Sequence, residues 1–324
     1  MLQPKFPNFV CHKETMRQGA WVRDARTALL LVLVVMCFLV AIDHKNLVVR
    51  IQQHQADVEQ LSSKLRQESM RRPAGARSFS PSQEGIFVVT PTYTRKSQLV
   101  DLTRLKQALQ LASQKHNLLW IVVEDSDTKT DLVTHFFDSC EVPYVHLNIK
   151  EEHPPYKFKA NTQRNLGISY IRSMKNVNSN SKVYFADDDN AYDVRLFDEI
   201  AKVKRVGVWP VAYSGARRVE TPLVTNGTIT GFASWVTEAR KRFPFDMAAF
   251  AVSVEFFLRD KPVLFTPLAA SGTGEAAFLE ATGLDTKDLE PLADDCTKVY
   301  VWHVKTYTRS EEQYDKDSAH IKYV

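Results

Sequence analysis

From residue 84 onward, short apolar runs alternate with stretches of helical periodicity: 86–90 then 99–112, 118–123 then 130–139, 144–147 then 161–174, 183–186 then 194–203, and finally 206–211. Uninterrupted apolar runs are strands buried on both faces, and their alternation with helices predicts an α/β domain built on a mainly parallel sheet. In the helix at 99–112, Leu99, Leu102, Leu105 and Leu109 read as the packing stripe rather than as a site. After Tyr213 the alternation stops. Turn-rich and aromatic segments with two glycine-containing stretches, 224–235 and 269–274, predict a second, mixed half spanning 212–324. A strand at 298–302 ends at His303, and 309–324 is charged and peripheral.

The first 83 residues have a different character. Residues 27–42 carry no charge and consist largely of Leu, Val, Met, Phe and Ala. At 1.5 Å per residue they reach about 24 Å, short for a hydrocarbon core of about 30 Å but near that of thin early secretory membranes. A signal peptide competes, yet the preceding arm is long and no small-residue cleavage site precedes Asp43, so the segment reads as an uncleaved anchor. Lys5, Lys13, Arg17, Arg23 and Arg26 against Glu14 and Asp24 place residues 1–26 in the cytosol and the remainder in the lumen. Residues 43–83 are polar, first helix-like and then broken at Arg72-Pro73-Ala74-Gly75 and Ser80-Pro81, which reads as a stem.

Charge and cysteines narrow the classes further. A net charge of +4 over 324 residues, without interleaved aromatic and basic positions, argues against nucleic acid as a partner. Cys140 and Cys296 alone face the oxidising side and could pair; Cys11 is cytosolic and Cys37 lies in the span. Asn226-Gly227-Thr228 is a glycosylation sequon on the lumenal side.

Ligand groups should gather at strand ends, here Thr90-Pro91-Thr92-Tyr93, Glu124-Asp125 and Asp187-Asp188-Asp189. Three clustered carboxylates call for a cation, and their hard oxygens suit Mg²⁺ or Mn²⁺. The competing role is a helix cap, since 190–200 reads as helical and Asp favours a first turn, although one Asp would suffice. No glycine-rich phosphate loop follows the first strand. A bound nucleotide would therefore need a cation to hold its phosphates.

Eight motifs occur in the order of the animal β-1,3-glucuronyltransferases of glycosyltransferase family 43: Pro91-Thr92-Tyr93, Val123-Glu124-Asp125, Thr162-Gln163-Arg164-Asn165, Tyr184 through Asn190, Val208-Trp209-Pro210-Val211, Pro244 through Ala248, Asp288-Leu289-Glu290-Pro291 and Val301-Trp302-His303. The chain resembles that family over about 85–306, and the anchor and stem match its type II Golgi layout. The resemblance implies a GT-A-type nucleotide-diphospho-sugar transferase fold, with the donor-binding half at 84–211 and the acceptor-binding half after it. It implies Mn²⁺, UDP-glucuronate as donor, a galactose-terminated glycan as acceptor, and a homodimer. Carried over by residue, Thr92 and Tyr93 hold uridine, Tyr93 stacking on the base, with Asp125 on the uracil edge. Asp187 and Asp188 face ribose and donor sugar, Asp189 ligates Mn²⁺, and Arg164 pairs with donor oxygens. His303 helps to select glucuronate, and Lys305 adds positive charge at the diphosphate. Glu275 is the catalytic base, with Asp246 and Glu280 as rivals, and Glu220 and Asp246 meet the acceptor.

From the residues alone the alternatives stay open: Glu275 at a dipole-favoured helix start, His303 as a satisfied core histidine, Arg164 as a solvated helix residue. Lys159, Lys241 and Lys305 stand where the family has Arg, which keeps the charge and loses the planar fork. Ala249 replaces a Gly, and Asp295 removes a sequon.

Overall fold

The structure, a computed structural model, describes residue 70 and residues 78–150, 160–215, 217–234, 242–266 and 273–306. The cytosolic tail, the anchor, nearly all of the stem, Lys159, Lys241 and the peripheral C-terminal stretch fall outside the described residues. Among the described residues no helix is long and apolar enough to cross a membrane.

In chain order the elements are β1 (Ile86–Tyr93), α1 (Gln98–Ser113), β2 (Leu118–Asp125), α2 (Asp131–Phe136), β3 (Tyr144–Asn148), α3 (Asn161–Ser173), β4 (Lys182–Phe185), β5 (Ala191–Tyr192), α4 (Arg195–Lys202), β6 (Val206–Val208), β7 (Val211–Ala212), β8 (Val219–Thr225), β9 (Thr228–Ala233), β10 (Phe250–Ser253), α5 (Glu255–Leu258), α6 (Gly274–Ala281), β11 (Glu290–Pro291), α7 (Ala293–Cys296) and β12 (Val301–Trp302). A seven-stranded sheet runs β11-β6-β10-β4-β1-β2-β3, and a smaller one runs β5-β12-β7-β8-β9. β4, β1, β2 and β3 are parallel, as their apolar runs predict, while β10 enters antiparallel between β4 and β6. Strands from both halves of the chain thus share the large sheet.

The chain steps outward from β1 to β2 to β3, then returns to the other side of β1 for β4. That reversal is a topological switch point, which opens a crevice beyond the strand ends. The ends flanking it carry Thr92-Tyr93 and, just past β4, the three aspartates. α3 closes against β1 so tightly that a Cβ on Gly167 would lie 2.5 Å from Val89 Cγ1. Val89 is fully buried and β-branched, so it cannot swing away. Gly167→Ala should cost a net 1–2 kcal/mol or so, overpacking outweighing the gain in helix propensity, and lower the midpoint of thermal unfolding.

Three sequence expectations change. The strand expected at 206–211 is two strands: Pro210 lacks an N–H, Trp209 ties its amide to Ala249 O (3.0 Å) and its indole to Ala248 O (2.8 Å), and the chain switches sheets there. The helix runs from Arg195, as the expected 194–203 has it, and the competing reading of a helix from Asn190 fails because β5 pairs with β12 instead. The aspartate triplet therefore caps no helix. The strand expected at 298–302 shrinks to β12, since the Lys298 amide is spent on Ala293 O (3.0 Å), closing a turn whose four residues 293–296 all have positive φ, between 50° and 60°.

The possible pair Cys140 and Cys296 does not form. Both are buried free thiols, pushed up by burial to about 11 and about 12. Asn226 (φ 52°) and Gly227 (φ 72°) form the two-residue, both-positive turn joining β8 to β9, and Asn226 is exposed at its tip.

Candidate functional site

Continuous pairing of β1 with β2 sets Tyr93 opposite Asp125 at the edge of the crevice. Tyr93 is 48% exposed, the last residue of a strand otherwise buried, and Pro91 lies inside that strand. Asp125 has Lys150 Nζ 3.6 Å from its carboxylate. Thr92 donates its hydroxyl proton to Asp188 Oδ2 (2.6 Å) and accepts from Gln98 Nε2 (3.1 Å).

The three aspartates have distinct surroundings. Asp187 is paired with Arg164 (2.6 Å), and its carbonyl accepts from the Tyr192 hydroxyl (2.7 Å). Asp188 is buried and paired with Arg95 (2.7 Å). Asp189 is half-buried, and its carboxylate has no hydrogen bond or ion pair among the described residues; only its carbonyl is held, by Arg104 (2.5 Å). Burial pushes the Asp188 carboxyl up to about 6, against the pull of Arg95 and Thr92. Burial and the neighbouring Asp187 push Asp189 upward too. Such a site resists its own negative charge and gains from a cation.

No group of three or more His, Cys, Asp or Glu that could hold a metal exists among the described residues. One open carboxylate and no cage fits a hard ion completed by phosphate and water oxygens, and does not fit an all-protein site. Among the described residues, the buried side-chain polar atoms without hydrogen bonds belong to Gln98, Gln163, Arg164 (Nε), His303 (Nδ1) and Asn190, whose amide sits beside the Tyr192 phenol without hydrogen-bond geometry. Orphaned buried groups are costly, and those of Gln98, Arg164 and Asn190 belong to side chains next to Thr92, Asp187 and Asp189, where a polar ligand would satisfy them.

The smaller sheet brings in the second set. The His303 amide donates to Ala212 O (2.8 Å), and its Nδ1 stands 3.4 Å from Asp246 Oδ2, close enough for charge attraction but outside hydrogen-bond geometry. Asp246 accepts from the Ala248 amide (3.0 Å). Ser214 Oγ lies 2.6 Å from Glu220 Oε2 and 3.0 Å from Asp246 Oδ2, while Ser234 donates to Glu220 Oε1 (2.8 Å). Burial pushes the Asp246 carboxyl up; His303 opposes it and Asp187 adds to it, so this acidic pair lies within the field of the triplet. Lys305 is exposed two residues beyond His303.

Glu275 opens α6. A Cβ on the preceding Gly274 would come 3.8 Å from Asn161 Nδ2, at the start of α3, and Asn161 Oδ1 accepts from Arg164 (3.5 Å). One turn further, Phe278 stacks on Phe265 (4.3 Å) and meets Phe185 edge-on (5.6 Å), two residues before Asp187. Arg164 lies over Phe265, 5.7 Å from its centroid. Packing thus sets the start of α6 beside the helix that carries Arg164. Glu280 is exposed on the same helix. A surface cleft of about 520 Å³ lined by Lys115, His116, Asp198 and Tyr300 adjoins the start of β2, away from these groups, and its Asp198 is already paired with Lys115 and His116.

Sequence reasoning missed Arg95, Asp101, Arg104 and Ser214. Asp101 is fully buried and holds Arg95 (2.8 Å), Arg104 (3.0 Å) and Thr306 (2.5 Å). Arg95 reaches on to Asp188 and lies over Tyr93, 4.6 Å from its centroid. The available signal was an acid and a base three apart in the first turns of the helix that follows the Pro-Thr-Tyr loop; nothing in sequence marks Ser214. Asp101→Asn removes the carboxylate shared by Arg95, which keeps Asp188, and Arg104, whose side chain is 30% exposed and keeps the Asp189 and Asn190 carbonyls. It should cost about 1–3 kcal/mol, read as a lower urea midpoint with unchanged slope.

A family model described as glycosyltransferase family 43 matches residues 105–307. The chain is 41% identical over 232 residues to the galactosylgalactosylxylosylprotein 3-beta-glucuronosyltransferase of Caenorhabditis elegans, covering 68% of this chain and 64% of that protein. It is 37% identical over 254 residues to galactosylgalactosylxylosylprotein 3-beta-glucuronosyltransferase 2 of Rattus norvegicus (75% and 76% covered). It is 41% identical over 241 residues to galactosylgalactosylxylosylprotein 3-beta-glucuronosyltransferase I of Drosophila melanogaster (68% and 76%). The chain spans just under two thirds of the nematode relative's length.

Proposed function

Because the chain belongs to glycosyltransferase family 43, we propose that it is an inverting glucuronyltransferase that moves glucuronate from UDP-glucuronate to the 3-hydroxyl of a terminal galactose. The observation that carries the reading is the switch point itself. An exposed aromatic, one open carboxylate and the orphaned donors of Arg164 and His303 converge where an α/β sheet of the proposed GT-A type binds its ligand.

In this reading Tyr93 stacks on uracil and Asp125 takes its edge, with Thr92 and Pro91 shaping the loop. Asp187 and Asp188 face the ribose and the transferred sugar, and Asp189 would hold Mn²⁺. The ion, when bound, supplies positive charge against the diphosphate as the leaving group departs. Arg164 and Lys305 add fixed cations, and His303 contributes to the choice of glucuronate. Glu220 and Asp246 hold the galactose. Glu275 takes the proton from its 3-hydroxyl as that oxygen bonds to C1 of glucuronate, and the C1–oxygen bond to the β-phosphate breaks with its electron pair leaving on UDP. A single displacement inverts the anomeric centre.

The same reading places the protein in the Golgi membrane as a single-pass type II homodimer with the catalytic part lumenal. By family resemblance Lys159 would serve the donor and Lys241 the acceptor, and Asn226 would bear a glycan. Glycoproteins, glycolipids and proteoglycan linkage chains are the acceptor classes. A second reading, another UDP-sugar such as UDP-xylose, is favoured by Lys159 and Lys305, which stand at the donor where the family has Arg and lack its planar fork. Incubation with a panel of UDP-sugars, Mn²⁺ and a β-galactoside separates the two. Turnover with UDP-glucuronate is expected, and transfer from a different donor alone would overturn the proposal.

A further inference from the structure

Thr306 follows directly on Lys305 and lies three residues past His303, the two side chains assigned to the donor. Past the His303 amide, the hydrogen bonds that the described residues show for 304–306 are those of the Thr306 hydroxyl. It donates to Asp101 Oδ1 (2.5 Å) and accepts from Arg104 Nη1 (3.2 Å), partners 205 and 202 positions away in the chain. A half-buried threonine thereby fastens the arm 303–306 to α1. Asp101 does not need that hydroxyl. Its Oδ2 is paired with Arg95 (2.8 Å) and its Oδ1 with Arg104 (3.0 Å), so the buried carboxylate is already neutralised and hydrogen-bonded. The arm is what gains from the bond.

The Arg104 guanidinium that receives Thr306 also donates to Asp189 O (2.5 Å) and Asn190 O (3.1 Å). Its fork is planar and rigid, so a shift of one partner is felt by the others. The backbone of Asp189, the proposed metal ligand, and the arm that carries Lys305 therefore share one support. Arg95 extends that support from Asp101 to Asp188 and over the Tyr93 ring. Lys305 is exposed and carries its charge on a flexible four-carbon stem. Ordering such a group on a ligand lowers affinity unless its backbone is held beforehand. We propose that Thr306 is a positioning residue: its hydroxyl latches the arm to Asp101 and Arg104, and so holds the Lys305 backbone in place to serve the nucleotide's diphosphate. The inference rests on the donor assignment above and adds a residue that acts through Lys305.

Thr306→Val keeps the branched shape and removes the hydroxyl. Calorimetry of UDP with Mn²⁺ on the intact chain should show an affinity about three- to tenfold lower, the worth of one net hydrogen bond. Thr306→Ser, which keeps the hydroxyl, should bind as the wild type does. In a Lys305→Met background the same valine substitution should weaken UDP by less than about twofold, since the arm then has no charge to place. Without ligand the thermal midpoint should fall by no more than a few degrees. Equal UDP affinity in wild type and Thr306→Val overturns the proposal. So does an unfolded valine variant, a serine variant that binds no better than valine, or an equal loss with and without Lys305, because Thr306 would then serve the fold alone. Absence of UDP binding by the wild type would instead bring down the donor assignment, and the latch with it.

Discussion

Glu275→Gln lowers kcat by about 10²- to 10⁴-fold while UDP binding stays near wild type. In the proposed reaction a galactose hydroxyl, a poor nucleophile at neutral pH, needs one carboxylate to accept its proton. Glutamine preserves shape and position at the start of α6 and removes only the ability to take that proton. The rivals are less suited. Glu280 is exposed on the same helix, and Asp246 is occupied by the Ala248 amide and Ser214, with His303 Nδ1 3.4 Å away. Asp246→Asn should accordingly raise the acceptor KM more than it lowers kcat. Single-turnover rates with saturating donor separate the two, and unchanged chemistry in Glu275→Gln would remove it as the base.

Asp189→Ala should abolish the thermal stabilisation that the proposed function expects UDP and Mn²⁺ together to give the wild type. A ligand held at 100 times its dissociation constant stabilises by about 2.7 kcal/mol, so the lost shift is several degrees and easily read. The variant should not unfold more readily without ligand. Asp188 is raised by burial from 3.8 to about 6, and Asp189 is raised as well. Folded carboxyls with raised values bind more protons than unfolded ones, so their ionisation removes stability as pH climbs through that window, and the deficit persists at neutral pH. Deleting Asp189 removes one of the crowded charges. A mutant that still responds to UDP plus Mn²⁺ would show that the ion is held elsewhere.

Much of the parallel core was legible because β1 to β4 are buried on both faces and so read as unbroken apolar runs, and because Asp and Tyr at their ends have little reason to be there except a ligand. Boundaries failed where long-range pairing decides the backbone. β5 takes residues with helical periodicity because β12 is there to receive them, and Pro210 divides what reads as one strand. Arg164, which by sequence could have been a solvated helix residue, is buried and paired with Asp187. Asp101 on α1 and Arg95 in the loop before it escaped notice, since charged residues in a loop and on a surface-type helix look ordinary until the fold joins them beside Tyr93 and Asp188. Ser214 joins two carboxylates 6 and 32 positions away, a relation that no local pattern carries.

The central claim is that the switch-point crevice performs one direct displacement on glucuronate. Proton NMR of the product from UDP-glucuronate, Mn²⁺ and a β-galactoside tests it most directly. The account predicts a β-linked glucuronate on O3 of galactose. An α-linked product, attachment at another hydroxyl, or no glucuronate transfer while a different UDP-sugar is consumed would contradict it.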